Sequence, residues 1–166
     1  MHTKTVFQGA RGLTRIGCAV LRFNFRGVGK SAGRFDEGPG EMEDFRAALD
    51  FLSSRHPALP LWAAGFSFGS WIALESGAAD PRVSVLIGIA PPVAKYDFAL
   101  TKESTKPKFF VQGDLDQLCL LTDLWAFYGK LHEPKEMAII DGASHLFEGK
   151  TAEVGEALED LLGDWQ

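Results

Sequence analysis

Cysteine is scarce in this sequence: 166 residues contain two, Cys18 and Cys119. They stand far apart, in no CxxC or Cys/His spacing, which argues against a disulfide framework or a structural zinc site. Both read as reduced thiols of a cytoplasmic protein. No apolar run approaches the roughly 20 residues that a membrane-spanning helix needs. The opening residues Met1-His-Thr-Lys-Thr-Val-Phe-Gln8 lack the apolar centre of a signal peptide. Positive charge is also short, with 17 Lys and Arg against 22 Asp and Glu and a net charge of −5. The basic residues are scattered and never interleave with aromatics in a run, so no nucleic-acid footprint is expected. Internal repeats, low-complexity tracts and linkers are missing too. The length allows one well-buried core rather than two, and residues 1–166 read as one domain.

What is there is ordinary soluble-globular material, 46% hydrophobic and 23% charged, arranged in alternation. Residues 4–16 carry Val6, Ala10 and Leu13 at helical spacing, with Gly9 and Gly12 weakening the pattern. Residues 18–23 read as a short buried strand, followed by a glycine-rich loop over 26–40. The firmest helix spans 41–56, with Met42, Phe45, Leu49 and Leu52 on one face and Glu41, Glu43 and Asp44 at its positive end. Then come a strand at 61–64, a helix at 68–78, a strand at 83–90, and an irregular stretch. A strand at 108–112, a helix at 118–131, a strand at 136–140 and a helix at 151–162 complete the chain. Strands apolar on both faces and alternating with helices predict a three-layer αβα fold around a mostly parallel sheet of about five strands. Right-handed crossovers would gather the strand C-termini on one edge, where the loops 24–40, 65–69, 91–107, 113–117 and 141–147 lie.

Gly65-Phe66-Ser67-Phe68-Gly69 is a G-x-S-x-G pattern between a strand and a helix, the context of a nucleophile elbow. A reversal that tight strains the serine backbone and requires its flanking glycines, here Gly65 and Gly69. An ordinary helix N-cap would explain Ser67 but neither glycine. A serine hydroxyl needs a base, and the base an orienting carboxylate. Of the four histidines, His2 is terminal, while His56 and His132 close helices and read as solvated caps. His145 follows the last strand, on the functional edge. For the acid, Asp114 and Asp116 both end the strand at 108–112, and either also suits a solvated turn. The order Ser67, then aspartate, then His145 is that of the α/β-hydrolases.

On these residues the chain resembles the small, cap-less bacterial α/β-hydrolases related to dienelactone hydrolase. The likeness runs through Leu21-Arg-Phe-Asn-Phe-Arg-Gly-Val-Gly-Lys-Ser31, Gly40-Glu-Met-Glu-Asp44, the G-x-S-x-G, Pro91-Pro92 with Tyr96-Asp97-Phe98, Val111-Gln-Gly-Asp-Leu-Asp116 and Gly142-Ala-Ser-His145. The resemblance implies a serine hydrolase with Asp116, the second aspartate of its turn, as the acid. Dienelactone hydrolase itself uses a cysteine where this chain has Ser67, so its substrate does not transfer. The resemblance also implies an N-terminal truncation. The family has three strands before the helix at 4–16, and a loop that supplies one oxyanion-hole N–H. One of those strands would lie between the one containing Leu21 and the one containing Trp62. Without it, these two must pair directly or leave a groove of unpaired backbone. Met1 is then expected to be an internal methionine of a longer chain.

The expected chemistry is hydrolysis of a small carboxylic ester or related acyl compound through an acyl-enzyme, with the Phe68 N–H as the remaining oxyanion donor. Phe66 is expected to border the acyl group, whereas Arg26 and Asn24 read as loop-stabilising. The stretch 91–107 is too short for a large lid. No metal or organic cofactor is implied, and no nucleic-acid or membrane partner. An incomplete sheet invites association with a second copy. Two other readings stand beside this one. The first is a catalytically impaired α/β-hydrolase-like module. The second is a P-loop protein, since Asn24-Phe-Arg-Gly-Val-Gly-Lys-Ser31 departs from a Walker A pattern at one position. Against it, Gly33, Gly38, Pro39 and Gly40 follow where a helix should open.

Overall fold

The computed structural model describes residues 3–165. The readings placed on Met1 and His2 lie outside that range. Helix α1 (Lys4–Arg15) leads into residues 18–25, and α2 (Pro39–Arg55) follows the glycine-rich loop. The rest alternates as β1 (Leu61–Phe66), α3 (Phe68–Ala79), β2 (Val83–Ile89), α4 (Ala99–Glu103), β3 (Lys108–Gly113), α5 (Leu121–Tyr128), β4 (Lys135–Ile140) and α6 (Thr151–Leu162).

Among the described residues the sheet has four strands, all parallel, in the order β1-β2-β3-β4. Strands that step steadily in one direction through right-handed crossovers carry their connecting helices on one face. Helices α3 and α5 accordingly pack there together with α2, around Phe45, Leu49, Ile72, Leu74, Leu86 and Phe110. On the other face α1 and α6 bury Leu13, Val154 and Leu158 against Ile87, Phe109 and Val111. These three layers are the αβα arrangement that the alternation predicts, and they have the form of the α/β-hydrolase fold that the resemblance implies. No helix among the described residues is long and apolar enough to cross a membrane.

Three expectations change. The strand at residues 18–23 does not form. The segment is extended in outline, yet among the described residues no backbone group of residues 19–24 bonds to another backbone group. Its apolar pattern is that of a strand, but a strand exists only through a ladder, and neither flank supplies one. A groove of about 270 Å³, lined by Cys18, Val20, Leu21, Phe23, Leu61 and Trp62, separates it from β1. Leu21, Phe23 and Asn24 also line a second hollow with Ala47, Ala48 and Phe51 of α2. The sheet therefore has four strands rather than about five. The second change is α4, a short helix inside a stretch that reads as irregular. Its N-terminus is held from a distance: the buried Glu75 carboxylate accepts the N–H groups of Leu100 and Thr101 and the Thr101 hydroxyl. Third, α5 is shorter than the predicted 118–131, because residues 114–120 are used to hold the Asp116 turn.

Loop 24–38 is fixed by α2. Arg26 forms a two-pronged ion pair with Asp44, whose carboxylate also accepts the Arg26 N–H. That pair raises the guanidinium further above its ordinary value and holds the Asp44 carboxyl below its own. Glu41, fully buried, accepts the N–H groups of Asp36 and Gly38 at the entry to α2. Arg26 thus has the loop-stabilising role expected of it.

Candidate active site

Strand β1 turns into α3 at a single residue. Ser67 caps α3 with φ 52° and ψ −126°, a conformation that costs a non-glycine residue about 1–3 kcal/mol. The surroundings hold it there. The Ser67 N–H donates to the Ile89 carbonyl at the end of β2 (2.9 Å), and the Ser67 carbonyl accepts the Ser70 N–H and hydroxyl. A Cβ on Gly65 would overlap the Gly69 backbone. Gly69 is under no such demand: a Cβ there would meet only the Phe25 ring, at 3.8 Å. The expectation that both glycines are sterically required is corrected for Gly69, because the close approach is made by the strand side of the turn.

His145 follows β4 in a loop tied to its neighbours on two sides. The Leu115 N–H donates to the Ala143 carbonyl (3.1 Å), joining this loop to the turn after β3. From α1, the Thr5 hydroxyl donates to the Leu146 carbonyl at 2.9 Å. The result is a relay: His145 Nε2 lies 2.9 Å from Ser67 Oγ, and Nδ1 lies 2.8 Å from Asp116 Oδ2. The second bond fixes the neutral ring with its proton on Nδ1, leaving Nε2 free to accept from the hydroxyl.

Asp116 is buried at the end of β3 and has both oxygens engaged. Oδ1 accepts the N–H groups of Leu118 and Cys119, both at 2.8 Å. Oδ2 accepts from His145 and from the Gln112 amide, the latter at 3.1 Å. Burial pushes this carboxyl up, but the bonds from His145, Cys119 and Leu118 outweigh it and hold the group below the ordinary carboxylate range. Asp114, its neighbour in the same turn, makes no bond to His145, and its Oδ1 is buried without a partner. Gln112 went unnoticed in the sequence. The available signal was a lone amide at the end of the apolar run Phe109-Phe110-Val111, just before the acidic turn.

Asp116, Cys119 and His145 each offer an atom within 4.8 Å of the others, the spacing of a metal site. Burial and then the Asp116 charge push the Cys119 thiol up to about 12, so it is protonated at neutral pH. The carboxylate is fully used by hydrogen bonds. This set is therefore built to orient an imidazole rather than to chelate.

Phe68 opens α3, and its N–H is one of the first-turn donors without an intrahelical acceptor. Its ring contacts Phe25, Phe35, Trp71 and Tyr96 at centroid distances of 5.4–6.2 Å. Tyr96 stacks on Trp71 at 4.3 Å, while Phe98 is buried in the core. Phe66 lies against the His145 ring, 5.2 Å between centroids. Leu115, Leu118 and Leu146, sequence neighbours of the acid and base, are exposed.

A four-stranded parallel sheet between helices, with a strained serine, a histidine and a buried aspartate in one relay at its rim, defines an α/β-hydrolase of the serine type. The chain belongs to the Hydrolase_4 family (serine aminopeptidase, S33), whose profile matches residues 1–99. It is similar to an α/β serine hydrolase homologue from Coxiella burnetii, with 39% identity and a TM-score of 0.92, covering 98% of this chain and 77% of that one. It is also similar to a lid-less serine hydrolase from Xanthomonas campestris, with 36% identity and a TM-score of 0.91 over 99% of this chain and 75% of that one. An uncharacterized protein of Rickettsia prowazekii is 39% identical over 171 residues, covering 98% of this chain and 72% of its own length.

Proposed function

We propose that this chain is a cytoplasmic serine hydrolase that cleaves small carboxylic esters through an acyl-enzyme. The observation that carries the reading is the relay itself: a hydroxyl on a strained turn, 2.9 Å from an imidazole nitrogen whose other nitrogen is anchored at 2.8 Å to a buried carboxylate. His145 Nε2 takes the Ser67 proton as Oγ attacks the carbonyl carbon. The imidazolium is held by Asp116, and the tetrahedral oxyanion by the Phe68 N–H and the positive end of α3. Collapse expels the alkoxide, which leaves with the proton from His145. Water then attacks the acyl carbon, gives a proton to His145, and frees the acid and Ser67.

Phe66, whose ring lies against His145, is the residue assigned to the acyl side, and its apolar surface favours a small apolar acyl group. Two thiols with no disulfide between them fit a reducing compartment. The test is labelling by a fluorophosphonate probe. Wild type is expected to label and Ser67→Ala to lose the label completely, with both proteins melting at similar temperatures.

One observation favours a second reading, an impaired or inert module. Among the described residues a single oxyanion donor, the Phe68 N–H, is identified, and lacking one of two donors costs about 10²–10³ in rate. Well-folded wild type that never labels over hours would establish this reading in place of the first.

A further inference from the structure

The Gln112 amide is buried completely, and its two ends are treated unequally. Nε2 faces three oxygens: Asp116 Oδ2 at 3.1 Å, the Cys119 carbonyl at 2.6 Å and the Gly113 carbonyl at 3.4 Å. Oε1 faces none, and is buried without a partner. The orientation is forced, since a flipped amide would aim its oxygen at a carboxylate and a carbonyl. A buried acceptor left unpaired is a cost that an apolar side chain of the same size would avoid. The position at the end of β3, among Phe109, Phe110 and Val111, would suit such a side chain. The amide therefore earns its place through its N–H end.

That end meets the oxygen that holds the imidazole. Oδ2 of Asp116 accepts from His145 and Gln112 together, while Oδ1 is anchored by two backbone N–H groups. The backbone pair alone leaves the carboxylate free to rock about Oδ1. A third anchor on Oδ2 removes this freedom and fixes the direction from which the imidazole is held. We propose that Gln112 is a positioning residue of the hydrolytic site: it locks the Asp116 carboxylate so that Oδ2 stays aligned with His145 as the imidazolium forms. The same amide bonds the Cys119 carbonyl, so it also closes the turn that brings the Leu118 and Cys119 N–H groups onto Oδ1. Gln112 touches no substrate, so its contribution belongs to turnover rather than to binding. The inference rests on the hydrolase reading above.

The experiment compares wild type, Gln112→Leu and Gln112→Met on p-nitrophenyl acetate. It also records the downfield proton resonance of the His145 Nδ1–H bond to Asp116. For whichever variant keeps the wild-type melting temperature, kcat is expected to fall roughly tenfold with KM unchanged. That is the rate equivalent of losing one charge-assisted hydrogen bond from the transition state. The resonance is expected to shift or broaden. Wild-type kcat with an unmoved resonance in a folded variant overturns the proposal. So does failure of both variants to fold, which makes Gln112 a structural residue alone. If wild type neither turns over nor labels, the hydrolase reading fails instead. The resonance still reports then whether Gln112 governs the alignment.

Discussion

A methyl group added at Gly65 would overlap the backbone of the first α3 turn, whereas the same addition at Gly69 meets a ring edge at ordinary contact distance. Gly65→Ala is therefore expected to destabilise the fold by at least about 2 kcal/mol and to displace Ser67 from His145. Gly69→Ala is expected to stay within about 1 kcal/mol of wild type. Denaturant melts with probe labelling separate the two, and equal melts for both variants would refute the steric assignment. Asp116 makes a second statement at this scale. Its folded carboxyl titrates below the ordinary range, so it binds fewer protons than in the unfolded chain, where the value is about 3.9. Its contribution to stability is complete above the unfolded value and is lost as pH falls through the folded one. Asp116→Asn is expected to flatten that acid loss in melts between pH 6 and 3. It is also expected to reduce kcat by three to four orders of magnitude, on the order of 10³–10⁴.

Among the elements, α1 and α6 cross through glycine. A Cβ at Gly12 would run into the Gly155 backbone, and the contact is flanked by the Arg15–Glu159 ion pair. Gly12→Leu is expected to force the helices apart and lower the melting temperature by several degrees, corresponding to about 2–3 kcal/mol. Because the Thr5 hydroxyl on α1 holds the Leu146 carbonyl beside His145, the same variant is expected to slow probe labelling. Of the two glycines that weaken α1 as a sequence-read helix, Gly12 is thus required by its packing, whereas a Cβ at Gly9 would meet only side-chain ends at ordinary contact distance. Most element positions were legible, because periodicity and turn residues agree from residue 61 to residue 162. What was not legible depended on distant partners. Helix α4 is held by Glu75 from α3, and residues 18–23 carry a strand pattern that no neighbouring ladder realises. The site followed the same division. Ser67 and His145 stood out because each sits in a loop after a strand, and topology brings such loops together. That position left Asp114 and Asp116 both open, and the choice of Asp116 came from the family resemblance. Gln112 lies near the end of a strand, where its one signal was a lone amide after an apolar run, and nothing in that run says which oxygens the amide meets.

At the scale of the whole fold, β1 is, among the described residues, paired along one edge and faces the groove beside residues 18–25 with the other. An open edge of parallel strand, beside exposed Val20 and Leu21, is a template for another chain. Concentration-dependent association is expected in sedimentation velocity. Ala64→Lys, which places a charge on β1 where the side chain is exposed, is expected to shift the distribution toward monomer. Wild type that sediments as a monomer at every concentration would remove this expectation.

The groove also divides the protein by how long its amides keep their protons. Strands β2 and β3 are bonded on both sides and covered on both faces, so their N–H groups exchange with deuterium only through global opening. Residues 19–24 have no ladder to open and exchange as fast as water reaches them. Asp116 follows β3 within three residues and is anchored by the Leu118 and Cys119 N–H groups, so the acid end of the relay is attached to the part of the molecule that breathes least.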